Sequence, residues 1–250
     1  MNAEGMPYRL RAILSSLSDW YAWHYRFVLC ASVGAGVRVE RPRHLNLSGP
    51  GIHIGNHVEI CAQPDAKVHL SCWPYGDGES HPSLRLGDYC SLSPGVRLIV
   101  AQDLQIGPSC ILAANVYVTD ADWHDRYHRV FPPGAAAPVR LERNVWLGDG
   151  AKVLKGVTIG ENTIVGAGAV VVSDLPANCI AAGNPARVVA KLDSETTTTD
   201  RQGLFEELAF ERFSEQFWRD RLAQNSWWGW LAGLVWPACR PDQRSKSRER

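Results

Sequence analysis

Between Leu141 and Leu175 the chain reads LERNVWLGDGAKVLKGVTIGENTIVGAGAVVVSDL, and its aliphatic residues recur every sixth position: Leu141, Leu147, Val153, Ile159, Val165 and Val171. A second column, small or β-branched until it ends on a leucine, runs four places behind: Val145, Ala151, Val157, Thr163, Ala169 and Leu175. Glycines 148, 150, 156, 160, 166 and 168 lie between the columns. An α-helix cannot hold such a column on one face, because 3.6 residues per turn carries every sixth side chain away from the first. A six-residue period fits a parallel β-helix, in which each hexapeptide makes one short flat face and a corner.

The rest of the chain is arranged about this stretch. Upstream the period is looser, with matching units at Val33–Val37, Ile54–Val58 and Ile60. From 64 to 82 it lapses, which predicts a protruding loop. It resumes at Leu86–Cys90, Leu92 and Leu98, then continues after a two-residue slip at Ile106–Cys110, Leu112 and Val118. A second lapse, TDADWHDRYHRVFPPGAAAP over 119–138, puts charged, aromatic and proline residues where a coil wants Ile and Gly. A loop this long inside a compact repeat is usually functional. Before the repeat, residues 8–30 place Leu10, Ile13, Leu14, Leu17, Tyr21 and Tyr25 on one helical face. This helix reads as a cap on the open end of the stack or as a basic amphipathic helix on a membrane or beside a pocket. After it, Asp200 is a candidate N-cap for a helix over 203–222 with Phe205, Ala209, Phe213 and Phe217 at intervals of four. The expected organisation is a helical cap over 1–32, a β-helical domain over 33–192, and a linker, amphipathic helix and Trp/Arg-rich tail over 193–250.

Composition narrows the function classes. The 250 residues hold 26 basic and 26 acidic side chains, so nothing marks a general nucleic-acid binder. The seven cysteines have no CxxC or other metal spacing and read as reduced, mostly buried thiols of a cytoplasmic protein. The N-terminus lacks the pattern of a signal peptide, and no apolar run is long enough to span a bilayer. The tail SWWGWLAGLVWPACRPDQRSKSRER suits a membrane–water interface, packing on another subunit or a disordered end.

The run NVWLGDGAKVLKGVTIGENTIVGAGAVVVSDLPANCIAAGNPARVV, Asn144 to Val189, with its GAGAVV and AGNPARVV segments, resembles the hexapeptide-repeat acyltransferases, in particular the maltose, galactoside and lipopolysaccharide O-acetyltransferase branch. Residues 33–118 fit the same coils more loosely; 1–30 and 195–250 lie outside the resemblance. It implies a mainly β fold, a left-handed parallel β-helix with helical N- and C-terminal extensions. It also implies a homotrimer with acetyl-CoA along the groove between neighbouring prisms, and a sugar or glycan as acceptor. No metal and no nucleic acid are expected, and the protein is placed in the cytoplasm, with peripheral membrane contact at the inner face as one reading of its aromatic ends.

Acyl transfer from a thioester to a hydroxyl needs a base for the hydroxyl proton and donors for the oxyanion. The branch carries its catalytic histidine in the extruded loop, which here points to His124, with His128 as the rival; Asp122 or Asp120 would orient the imidazole. Trp146 falls where the branch has a tryptophan near the acetyl end of the cofactor. Gly148, Asp149, Ala167 and Ser173 fall along the pantetheine path, and Arg187 and Lys191 suit the nucleotide phosphates. Ser93, Asn115 and His128 would hold the acceptor, Ser93 standing where relatives have asparagine. Two other acyl acceptors or chemistries remain: N-acetylation of an amino-sugar nucleotide, and a γ-type zinc carbonic anhydrase using His124, His128 and His81. A non-catalytic scaffold is the last alternative.

Overall fold

The computed structural model describes residues 6–25, 27–73, 81–130, 134–193, 199–206, 216–217, 219–223, 225–228 and 231. Each hexapeptide supplies a short strand and a bend. Leu141 pairs with Ile159, Leu147 with Val165 and Val153 with Val171, so one full coil takes eighteen residues, three hexapeptides, and closes a triangular prism. The first face stacks Ser32–Val33, Ile52–Ile54, Ser83–Leu86, Asp103–Ile106, Val139–Leu141 and Thr158–Ile159. The second stacks Arg38–Glu40, Glu59–Cys61, Ser91–Leu92, Ile111–Leu112, Trp146–Leu147, Ile164–Val165, Cys179–Ala182 and Arg187–Lys191. The third stacks Leu45–Ser48, Val68–Cys72, Arg97–Val100, Tyr117–Thr119, Lys152–Val153 and Val170–Val171. All pairings are parallel except the last on the second face, where Arg187–Lys191 runs antiparallel to Cys179–Ala182.

Both columns of the repeat point into the prism. Leu141, Leu147, Val153, Ile159, Val165 and Val171 are buried, as are Val145, Ala151, Val157, Thr163 and Ala169. The buried Thr163 hydroxyl donates to the Pro176 carbonyl at 2.6 Å, which satisfies its polarity. Between the first and second faces the backbone turns through the left-handed region at Asn144, Asn162 and Asn178, a conformation asparagine tolerates better than most side chains. Their amides hydrogen-bond in series up the corner, Asn144 to Asn162 and Asn162 to Asn178, at 3.0 Å each.

The structure corrects the loop expected over 64–82. Val68–Cys72 is a full strand of the third face, paired with Leu45–Ser48 and Arg97–Val100. Its inward residues Val68, Leu70 and Cys72 are buried. They alternate with polar His69 and Ser71, a two-residue rhythm that a search for sixth-residue repeats passes over. Residues 74–80 lie outside the described set. Of the helical face expected at the N-terminus, Ile13 and Leu17 are instead exposed, at 54% and 56%; among the described side chains of the α-helix Tyr8–Tyr25 (α1), Ala22 enters the prism core, with Phe27 from the following 3-10 turn.

The prism carries one strap. The short helix Arg201–Glu206 (α2) crosses the corner between the first and second faces. Arg201 donates to Glu59 at 2.6 Å and to the Tyr89 carbonyl at 2.8 Å, and Phe205 packs on the His57 and Tyr89 rings. Arg201→Ala should cost about 2 kcal/mol through these charge-assisted bonds and leave 200–206 open to exchange, read by amide hydrogen exchange. Of the helix expected over 203–222, residues 207–215 lie outside the described set, as does most of the tryptophan-rich tail. Residues 1–17 and 207–250 form a separate unit, in which Asn225 donates to the Met6 carbonyl at 3.0 Å and Arg219 lies over the Tyr8 ring. Among the described residues, no helix is long and apolar enough to cross a membrane.

Candidate functional site

The long break leaves the prism at the corner between the third and first faces. Asp120 is buried there, and its carboxylate accepts three backbone N–H bonds from the coil below: Ala101 at 2.8 Å, Gln102 at 2.7 Å and Asp103 at 2.8 Å. Burial raises the Asp120 carboxyl above its ordinary value, with those N–H groups pulling the other way. A carboxylate committed in this way anchors the loop, so the expectation that Asp120 orients an imidazole is corrected. The loop base is a short antiparallel ladder: Ala121 bridges Ala136, Ala137 donates to the Asp120 carbonyl, and Asp122 and Gly134 exchange bonds with Ala135 and Asp122 carbonyls at 2.9 Å. Asp122 forms an ion pair with Lys155 of the next coil at 2.6 Å. Further out, the Asp125 carboxylate accepts the amides of Tyr127 and His128, which holds its carboxyl below the ordinary range. His124 and His128 are both exposed on this loop.

Trp123 turns back from the loop over the third face, its indole N–H donating to the Thr119 hydroxyl at 3.2 Å. There it closes one side of a groove of about 570 Å³ lined by His69, Trp73, Arg97, Ile99, Tyr117 and Trp123. Three of these share one register row, His69 beside Arg97 beside Tyr117. The Arg97 guanidinium sits 4.8 Å from the Tyr117 ring centre. Burial, then the charges of Arg97 and Lys67, hold His69 below its ordinary pKa. None of these lining residues was singled out by the sequence. His69, Arg97 and Tyr117 occupy the outward position just before an inward aliphatic (Leu70, Leu98, Val118), where the repeat leaves residue type open, and an aromatic or cation recurring at that offset is the signal that finds them.

The residues expected from sequence fall into three places. Ser93, Asn115, Gly148, Asp149 and Ala167 stack on the corner between the second and third faces, where Asn115 donates to Asp149 at 3.4 Å and Gly168 N–H donates to the Asp149 carbonyl at 2.7 Å. His124, Asp122 and Ser173 belong to the opposite margin of the third face, with the groove between the two margins. Trp146 projects from the second face, 46% exposed, in a row with Ile111, Ile164 and Ile180. Arg187 and Lys191 mark the two ends of the exposed antiparallel strand. So the structure brings Ser93, Asn115, Gly148, Asp149 and Ala167 together and sets the histidines apart from them within one chain.

The corner glycines differ in what requires them. A Cβ on Gly148 would lie 2.7 Å from the Ala167 nitrogen and 2.8 Å from the Val165 carbonyl oxygen, whereas one on Gly168 would meet nothing within 4 Å. Gly168 is needed for its backbone, at φ +68°. Gly148→Ala should therefore force neighbouring coils apart and cost about 2 kcal/mol, against about 1 kcal/mol for Gly168→Ala, both read by urea denaturation.

Cysteine chemistry finds little footing. Cys30 and Cys61 are pushed up to about 12 and Cys72 to about 11, chiefly by burial, which leaves them protonated at neutral pH. Among the described residues no group of three or more His, Cys, Asp or Glu could hold a metal ion, His81, His124 and His128 included.

Comparison with known proteins agrees with this architecture. Residues 138–173 match the family model "Bacterial transferase hexapeptide (six repeats)". A 64-residue segment is 45% identical to a Saccharomyces cerevisiae protein named "Putative acetyltransferase", covering 26% of this chain and 33% of that one. A 58-residue segment is 50% identical to a Schizosaccharomyces pombe protein of the same name, covering 23% and 28%. The matched segments thus span about a third of the length of these relatives. In fold, the prism is similar to the N-acyltransferase AntD from Bacillus cereus, solved with dTDP and 3-hydroxybutyryl-CoA, at TM-score 0.56 and 20% identity over 75% of this chain and 93% of that one. The molecule is a left-handed parallel β-helix, a handedness that residue spacing alone does not give. The repeat of residues 138–173 is thus that of the hexapeptide transferase family model, and the relatives matched over part of the chain are named as acetyltransferases.

Proposed function

We propose that this chain is an acyl-CoA-dependent acyltransferase that moves an acetyl group onto a hydroxyl of a sugar or glycan precursor, with His124 as general base. The loop carries this reading. A buried carboxylate and an ion pair hold its base, and it presents an exposed histidine directly after the tryptophan that closes the groove. His124 takes the proton of the acceptor hydroxyl as that oxygen attacks the thioester carbon, and returns it to the departing CoA sulfur. Asp122, bound to Lys155, fixes the loop base that sets the imidazole, and His128 contacts the acceptor.

The bare corner of Gly148, Asp149 and Ala167, with Ser173 further on, receives the pantetheine arm; Arg187 and Lys191 meet the nucleotide phosphates. Acetyl-CoA is the natural donor, and relatives' names support acyl transfer as the class. A homotrimer completes each site. The outward row Ile111, Trp146, Ile164 and Ile180 is an apolar strip suited to the neighbouring prism and to the acyl end of the donor. The separation of histidines from the cofactor corner within one chain is what such an arrangement would bridge.

The test is release of free CoA thiol from acetyl-CoA against a panel of neutral sugars, sugar phosphates, uronic acids and amino-sugar nucleotides. Transfer to hydroxyl acceptors supports the proposal. Turnover confined to amino sugars would replace it with N-acetylation, and no turnover with any member, at a mass matching a trimer by sedimentation, would leave a scaffold.

A further inference from the structure

The groove on the third face has a chemistry of its own. Its outward row runs Asn46, His69, Arg97, Tyr117 and Lys152, one residue per coil on strands about 4.8 Å apart. Asn46 hydrogen-bonds His69 at 3.3 Å, so that ring is held in place. Arg97 is exposed and, among the described residues, makes no ion pair; its guanidinium carbon lies 4.8 Å from the Tyr117 ring centre, a contact with the ring face that does not neutralise the charge. Arg97 stands beside His69 in the row with Lys67 close by, so positive charge gathers on this face, while the acidic groups of the same margin are already used. Asp120 is buried on backbone amides, and Asp122 is paired with Lys155. Around this charge stand three aromatic surfaces, Trp73, Tyr117 and Trp123. Aromatic faces suit the C–H faces of a pyranose, and an arginine edge suits an oxyanion bidentately.

We infer that this groove binds a saccharide carrying an anionic substituent, with Arg97 taking the charged group and Trp73, Tyr117 and Trp123 the ring. The inference rests on the acyltransferase reading only in naming this ligand as the acceptor; the binding stands apart from turnover. It places the acceptor between the loop that bears His124 and the corner of Asn115 and Asp149. It also sets a selection against neutral disaccharides, because a hydroxyl can accept from the arginine but only an anion gives it a charge-assisted, bidentate pair.

Calorimetric titration of the full chain with glucose, glucose 6-phosphate, glucuronate and inorganic phosphate tests it. Glucose 6-phosphate or glucuronate should bind more tightly than glucose and than inorganic phosphate, and the stronger of the two identifies phosphate or carboxylate as the charge read. Arg97→Ala should weaken that binding by about 10- to 100-fold, with Arg97→Lys losing less, and should leave glucose binding and the melting temperature unchanged since Arg97 is on the surface. In acetyl transfer the same variant should raise KM for the anionic sugar while kcat holds. Equal binding of glucose and its 6-phosphate, binding of inorganic phosphate as tight as that of the sugar phosphate, or an Arg97→Ala variant that binds as before would each overturn the inference. Binding that is lost in Arg97→Ala without any acetyl transfer would uphold the groove and remove the acyltransferase reading instead.

Discussion

Replacing His124 by alanine is expected to lower acetyl transfer by about 10²- to 10⁴-fold, the span that a positioned general base supplies. The fall should appear in kcat, with KM for acetyl-CoA little changed, because the imidazole acts on the acceptor proton and not on the donor's nucleotide. His128→Ala separates the two candidates. Its imidazole lies beyond a turn in which Asp125 accepts two successive amides, so its loss should act on acceptor KM and spare most of kcat. A reversal of the two effects would exchange the roles of the histidines. Unchanged turnover in His124→Ala would remove the general-base mechanism. His124 is exposed, so the variant should fold as the parent does, and its melting temperature provides the control.

Asp120→Ala should be the most destabilising of the polar substitutions, by about 3 kcal/mol or more. It leaves the amides of Ala101, Gln102 and Asp103 without their acceptor at a buried corner, and each orphaned donor costs about 1–3 kcal/mol. Asparagine offers one carbonyl oxygen where the carboxylate offers two, and turns an N–H₂ toward amide donors, so Asp120→Asn should recover only part of the loss. Urea denaturation reads the stability, and limited proteolysis should show cleavage within 120–137 before the prism itself is cut. By contrast Asp122→Asn removes a half-exposed ion pair with Lys155 and should cost no more than about 1 kcal/mol. Equal effects for Asp120 and Asp122 would mean that the buried cap does not anchor the loop.

These two residues also mark what residue order shows and what it hides. The coils of 141–175 are legible because every inward site must be aliphatic or small, so the same constraint is printed six times. The strand Val68–Cys72 was missed because it bears only one short alternation, next to residues such as Pro64 and Trp73 that suggest a loop. Asp120 looks like one more loop carboxylate; its partners come from the coil below, seventeen to nineteen residues earlier, and only the stacking brings them near. The groove was hidden for the opposite reason. Outward positions such as Arg97 and Tyr117 are free of the repeat's constraint, so their types vary from coil to coil and leave only the weak recurrence of an aromatic or cation at one offset, although they face each other across adjacent coils. Of the expected cofactor residues, Gly148, Asp149 and Ala167 share a corner because their spacing follows the coil length, while the side of the prism on which the histidines emerge depends on where the loop leaves it.

The last strand of the second face bears on a different property, how the prism avoids stacking end to end on its own copies. A stack of parallel coils ends on an edge whose amides and carbonyls can accept another strand, as in cross-β fibres. Here Arg187–Lys191 lies over that edge in the reverse direction, with an irregular register at Ile180 and Ala181 and a cation at each end. A further coil arriving in the parallel sense would find the wrong hydrogen-bond pattern and a repelling fringe. Elongation along the axis is therefore arrested at the second face.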